Sequence, residues 1–214
     1  MKLSRLAVLA LFAAAPAFAG ATSFVVDFEK SWDYGVSVDG FYSGGKASDA
    51  TTGDNLGVEF FGMMGLSNDG NFTYYSGAPS SDGIAQAIDT DANGAHTNSY
   101  MNVAAGVQNG LSLFYASYVD VSGAVKAYSG LNGTGDLLGT FKLDKTANAG
   151  FDSWKQVTLK FSGTAKSFDL TGSAGQGIGF DNFASVSAVP EASTSLMMLA
   201  GGFALLGLTR RRRG

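Results

Sequence analysis

The stretch WKQVTLKF, residues 154–161, alternates polar and apolar side chains from Gln156 onward. Val157, Leu159 and Phe161 share one side, and the intervening polar residues share the other. A period of two places alternate side chains on opposite faces of an extended chain. The stretch therefore predicts a β-strand with one face against a core and the other toward water.

The same alternation recurs through the central part of the chain. It predicts strands at 24–29, 56–61, 111–119, 121–128, 137–143, 166–171 and 178–186. Asn-Gly pairs at 109–110 and 132–133 are typical of turns between such strands. No internal segment keeps a helical period over ten residues. We therefore expect an all-β fold, a two-sheet antiparallel sandwich of jelly-roll type.

Both ends of the chain have the composition of processing segments. Lys2 and Arg5 precede an apolar run at 6–15, and Ala17-Phe18-Ala19 has the small-x-small pattern that signal peptidase cleaves. We expect a signal peptide at 1–21, a β-sandwich domain at 22–187 and a sorting segment at 188–214. Signal peptidase is the first predicted partner.

The sorting segment combines a short apolar run with a basic end. Residues 196–209 are shorter than the roughly 20 residues of a comfortable membrane span, so the predicted transmembrane helix is marginal. The arginines that follow favour the cytoplasmic side. This pattern predicts a transient anchor in the inner membrane with the domain outside. The basic end consists of Arg210, Arg211, Arg212 and Arg213.

The order of residues in the tail resembles the PEP-CTERM sorting signal of Gram-negative bacteria. The match is Val189, Pro190 and Glu191, then Ser193-Thr194, an apolar glycine-containing helix and the arginine cluster. Ala192 stands where the commonest motif has a second proline. The resemblance implies that an exosortase is a partner and that the protein is passed to the cell surface or exterior, often in producers of exopolysaccharide and biofilm.

The central region also resembles a recurring domain of PEP-CTERM proteins. The likeness lies in GFYSGG, NLGVEF, YSGLNGTGDLLGTFKL, WKQVTLKFSGTAKS and IGFDNF, which span most of residues 38–186. That domain has no agreed activity, so the resemblance implies a fold and no chemistry. The C-terminal segment likewise resembles the segment known as the ice-binding protein C-terminal domain.

Charge and composition exclude several classes of function. Residues 22–189 hold eight lysines against seventeen acidic residues, a net charge of −9, which disfavours nucleic-acid binding. The chain has no cysteine and a single histidine, His96, so thiolate and multi-histidine metal sites are excluded. A triad through His96 is disfavoured because no G-x-S-x-G elbow accompanies it. We predict no catalytic residues.

Two acidic groups are candidate calcium sites. Alternation places Asp27 and Glu29 on the outer face of the first strand, and Asp181 on the outer face of the last. Jelly-roll carbohydrate-binding modules, which this arrangement resembles, often join their first and last strands with a structural calcium. Solvated surface acids are the alternative. The second candidate contains Asp89, Asp91 and Asn93, spaced as in an EF-hand loop without its closing glutamate.

Aromatic residues suggest a further binding surface. Tyr74 and Tyr75 lie in FTYYSG, residues 72–77, beside a predicted loop, and their rings are a candidate platform for stacking on sugars. The alternative is that these rings belong to the core or to cross-strand pairs, as aromatic residues in strands often do.

Three classes of function compete at this stage. The first is a non-enzymatic surface or matrix protein that binds extracellular polysaccharide. The second is a secreted glycosidase-like enzyme, which requires two acids facing each other across an open groove. The third is an ice-binding protein, which requires a flat threonine-rich face that the sequence does not indicate.

Overall fold

A computed structural model of the chain describes residues 23–68, 74–88, 98–146 and 151–186. Within these ranges the fold is all-β, with a single 3-10 turn at Thr171–Ser173 as its only helical element. The strands are β1 (Val25–Val26), β2 (Glu59–Phe61), β3 (Met63–Leu66), β4 (Ile84–Ala87), β5 (Tyr100–Gln108), β6 (Leu111–Ser117), β7 (Val121–Tyr128), β8 (Leu137–Leu143), β9 (Lys155–Leu159), β10 (Thr164–Asp169) and β11 (Ile178–Ser185).

These strands form two antiparallel sheets. The first has the order β3-β4-β11-β6-β9, and β1 pairs with the far end of β11. The second has the order β2-β5-β10-β7-β8. The structure confirms the predicted all-β class with two antiparallel sheets. It also confirms the predicted bounds of β7 and of β8.

The main core lies between the two sheets. Phe28, Phe60 and Phe183 are fully buried there, and their ring centroids lie 5.7 to 5.9 Å apart. Aromatic pairs at these separations stabilise a core beyond the area that they bury. The core therefore joins the first sheet to the second through one continuous aromatic cluster.

A smaller apolar cluster covers the outer face of the first sheet. In β4, Ala85 belongs to the main core whereas Ile84 belongs to the smaller cluster; in β6, Tyr115 and Ala116 divide in the same way. Adjacent strand residues point to opposite faces, so the first sheet is buried on both sides. The other buried members of this cluster are Leu66, Tyr75 and Phe151.

The two ends of the described domain meet in the first sheet. Val25 pairs with Ala184, and Val26 pairs with Phe183. The backbone N–H of Phe24 donates to the Ser185 hydroxyl at 3.1 Å. The first and last strands of the described domain are therefore adjacent.

Candidate binding site

A surface cleft of about 390 Å³ lies beside β1, and we call it the acidic cleft. One wall comes from β1 and the residues that follow it; the other comes from the loop at 41–56. Its size is that of a site for a small molecule or a sugar unit. The residues that line it are Val25, Asp27, Glu29, Phe41, Tyr42, Thr52, Gly53, Asp54 and Leu56.

Strand alternation builds the first wall. Val26 and Phe28 are completely buried in the main core. Val25, Asp27 and Glu29 point the other way and are exposed. The burial of one face thus places two carboxylates and one apolar side chain in the cleft, and it confirms that the two acids point outward.

Backbone pairing holds the second wall. Short bridges join Ser43 to Asn55 and Lys46 to Thr52, and the N–H of Leu56 donates to the Tyr42 carbonyl at 2.8 Å. At Gly53, a Cβ atom would lie 2.5 Å from the Phe41 ring. The glycine therefore allows this loop to close against an aromatic side chain, which becomes part of the cleft.

The cleft is negatively charged. The described residues provide one backbone N–H to Asp27 and one to Glu29, at 3.2 and 2.8 Å. Within the same residues the Asp54 carboxylate has no hydrogen bond or salt bridge. Burial raises the pKa of the Tyr42 hydroxyl, and the charges of Asp27, Asp181 and Glu29 raise it further. All of these groups favour a cationic or hydrogen-bond-donating ligand.

Asp181 lies on β11 beneath the segment at 74–83. Its carboxylate accepts the backbone N–H groups of Ser80 and Asn182, at 2.8 and 2.7 Å. Burial raises the pKa of Asp181 to about 7, and the charge of Glu29 adds to this effect. Those two hydrogen bonds, together with one from the Ser80 side chain, oppose the shift because they stabilise the charged form.

The predicted exposure of Asp181 is wrong. Ile178 and Phe180 point into the main core as expected, so Asp181 lies on the opposite face. That face does not reach solvent, and Asp181 is completely buried, because the smaller apolar cluster and its loop cover it.

The geometry gives no support to the calcium clip. Among the described residues, no three acidic or histidine side chains are placed to hold a metal ion. Asp27, Glu29 and Asp181 instead accept backbone N–H groups. Calcium binding by these three acids stays a prediction. The second candidate, with Asp89, Asp91 and Asn93, lies outside the described residues, as does His96.

The predicted aromatic platform is wrong for one of its two residues. Tyr75 is 4% exposed, its hydroxyl donates to the Ser81 carbonyl at 3.1 Å, and its ring packs edge-on against Trp154. A buried ring cannot stack on a sugar. Tyr74 instead stacks on Tyr34, with centroids 5.8 Å apart and rings nearly parallel.

The sorting residues Val189, Pro190, Glu191 and Arg210 to Arg213 lie outside the described residues, as does the predicted signal peptide. In the part of the chain that the structure describes, no helix has the length and apolar character of a membrane span.

Comparison with known proteins adds no family. No protein-family model matches the chain, and no curated protein matches it in sequence. Among solved structures, the K2 cleaved adhesin domain of Lys-gingipain from Porphyromonas gingivalis is 14% identical, with a TM-score of 0.47 over 77% of this chain and 99% of that one.

Two further structures are similar at lower TM-scores. A CBM35 domain from Paenibacillus barcinonensis is 18% identical, with a TM-score of 0.38 over 61% of this chain and 94% of that one. An arabinoxylan arabinofuranohydrolase from Bacillus subtilis, solved with cellotetraose, is 18% identical with a TM-score of 0.38 over 59% of this chain and 24% of that one.

Proposed function

We propose that the chain is an exported, non-enzymatic protein of the cell surface or extracellular matrix that binds polysaccharide in the acidic cleft. The observation that carries this proposal is the cleft itself, which combines polar groups with an apolar surface in a volume of about 390 Å³. Sites that bind small molecules typically have this combination. The sandwich is then of jelly-roll type and serves as a rigid frame for the cleft.

The lining of the cleft suits a sugar unit. Val25 is 57% exposed, and with the half-buried Phe41 and Leu56 it offers an apolar surface to the C–H face of a sugar ring. The Thr52 hydroxyl and the carboxylates can accept hydrogen bonds from sugar hydroxyls. A polysaccharide presents both kinds of surface in every unit, so a single open cleft is sufficient to bind it.

A glycosidase is the weaker proposal. General acid catalysis requires a carboxyl group that stays protonated near neutral pH and contacts the substrate. Asp181 has a pKa raised to about 7, but its complete burial keeps it away from any polysaccharide. Burial also raises the pKa of Asp39, but Asp39 does not line the cleft. The acids that line the cleft therefore serve binding in this proposal.

The sorting segment at 188–214 accounts for the route to the surface. Its resemblance to PEP-CTERM signals supports export through the inner membrane, a transient anchor and processing by an exosortase. The cleft then faces the polysaccharide outside the cell.

A glycan array tests the binding proposal. We expect the chain to bind a subset of polysaccharides, and Phe41→Ala to weaken that binding because it removes the aromatic part of the wall. The matched control is Phe141→Ala, which truncates a half-buried phenylalanine of β8 in the other sheet and should leave binding unchanged. Absence of binding to every glycan, or equal loss in both variants, would refute the proposal.

A further inference from the structure

The acidic cleft has an imbalance of charge that defines its ligand more narrowly. Three carboxylates line it and no lysine does. Every arginine of the chain lies outside the described residues. Four lysines of the described residues form salt bridges, but their partners are Asp49, Asp120, Asp144 and Asp169. No lysine in this part of the chain therefore neutralises the cleft through a salt bridge.

The positions of the carboxylates put this charge on both sides of the cleft. Asp27 and Glu29 belong to the wall that follows β1, whereas Asp54 belongs to the loop at 41–56. A group between the walls experiences all three charges. Tyr42, nine-tenths buried at the same place, adds a neutral hydroxyl that is hydrogen-bonded to the backbone of Phe28.

This field discriminates among sugars. Uronic acids and sulfated sugars carry negative charge and are repelled. Neutral sugars offer only hydroxyl donors. A sugar with a free amino group carries an ammonium, and hydrogen bonds between ammonium and carboxylate groups are roughly twice as strong as neutral ones.

We propose that the acidic cleft binds a polysaccharide that contains hexosamine units with free, unacetylated amino groups. The ammonium lies between Asp54 and the two carboxylates of the β1 wall, and the C–H face of the same sugar lies against Phe41 and Leu56. This inference rests on the proposed polysaccharide-binding function and adds the class of sugar.

Three tetrasaccharides that differ only at C2 test the inference. They are the tetramers of glucosamine, N-acetylglucosamine and glucose, titrated calorimetrically into the full-length chain at slightly acidic pH and low salt. We expect the glucosamine tetramer to bind about tenfold more tightly than the other two, because several partly screened charge pairs act together. Added salt should weaken this preference because it screens the charges.

Asp54→Asn is the informative variant, since it removes one cleft charge without removing volume. We expect it to weaken binding of the glucosamine tetramer severalfold more than binding of the glucose tetramer, because only the amino sugar loses a hydrogen bond between an ammonium and a carboxylate. The matched control is Asp136→Asn, which removes the same charge from an exposed position beside β8 in the other sheet. It should leave all three affinities unchanged.

The outcomes separate this inference from the function on which it rests. Equal binding of the three tetramers, lost in Phe41→Ala, would overturn the amino-sugar preference and keep polysaccharide binding. A glucosamine preference that both aspartate variants reduce equally would show attraction by overall charge, and it would also overturn the inference. Binding of no tetramer, together with an empty glycan array, would remove the proposed function itself.

Discussion

Asp181 should make the stability of the domain depend on pH in a specific way. Its pKa rises from 3.8 to about 7 on folding, chiefly through burial. A carboxyl group whose pKa is raised stabilises the fold fully below its unfolded pKa, and this contribution is lost as the pH rises through the folded value. Between about pH 4 and pH 8, the free energy of unfolding should therefore fall.

The size of the effect follows from the shift. A pKa change from 3.8 to about 7 corresponds to about 4 kcal/mol, and relaxation around the charge reduces the realistic loss to about 2–4 kcal/mol. Asp181→Asn removes the titration. It also places an amide N–H₂ against one of the two backbone donors, from Ser80 or Asn182, which costs about 1–3 kcal/mol at every pH.

Urea denaturation of both proteins at acidic and at mildly alkaline pH measures the difference. At acidic pH the variant should be the less stable protein, and at alkaline pH the gap should close or reverse. Comparing the two proteins at each pH cancels the contributions of the other carboxyl groups. Asp136→Asn, an exposed control, should differ from the wild type by the same small amount at both values. An Asp181→Asn difference that is identical at both pH values would refute the reasoning.

Three further predictions concern the core, metal binding and export. Phe183→Ala should lower the free energy of unfolding by about 3–5 kcal/mol, because Phe183 is fully buried among aromatic rings. The control Val25→Ala, at an exposed position, should lower it by less than about 1 kcal/mol. Similar denaturation midpoints for the two variants would contradict this prediction. The calcium clip predicts that excess calcium raises the melting temperature and that Asp181→Ala abolishes the rise, whereas a melting temperature left unchanged by chelator and by excess calcium would contradict the clip. Mass spectrometry of the extracellular form should find neither Met1 to Ala19 nor Arg210 to Gly214, and an intact C-terminus in secreted material would favour a permanent anchor.

The sequence predicted the strands that alternate and missed those that do not. The β3 stretch Met63-Met64-Gly65-Leu66 has no polar member. In β5, residues 101–103 are all buried, since Asn102 bonds to Asn132 of the loop that covers the outer face of the second sheet. A strand covered on both faces loses the period of two, so its pattern does not distinguish it from other apolar stretches.

The alternation of side chains along the first strand predicted half of the candidate site. Asp27 and Glu29 reach the cleft because alternation in and after β1 directs them outward. Phe41 and Asp54 belong to a loop whose sequence does not alternate between polar and apolar residues. Isolated backbone bridges, which the sequence pattern does not predict, hold this loop in place. The burial of Asp181 depends on the segment at 74–83, which packs against the sheet through contacts far apart in sequence.

The position of β11 gives the domain a mechanical property. The chain continues beyond Val186 from a strand that is central in its sheet, bonded to β6 on one side and to β4 and β1 on the other. Hydrogen bonds between antiparallel strands run perpendicular to the strand axis. A pull on the tail along β11 therefore loads the bonds on both of its sides in shear at the same time. If the tail continued from an edge strand, the same force would separate the bonds one after another. Because β11 is central, a domain held in flowing liquid by its C-terminal segment should unfold only at high force.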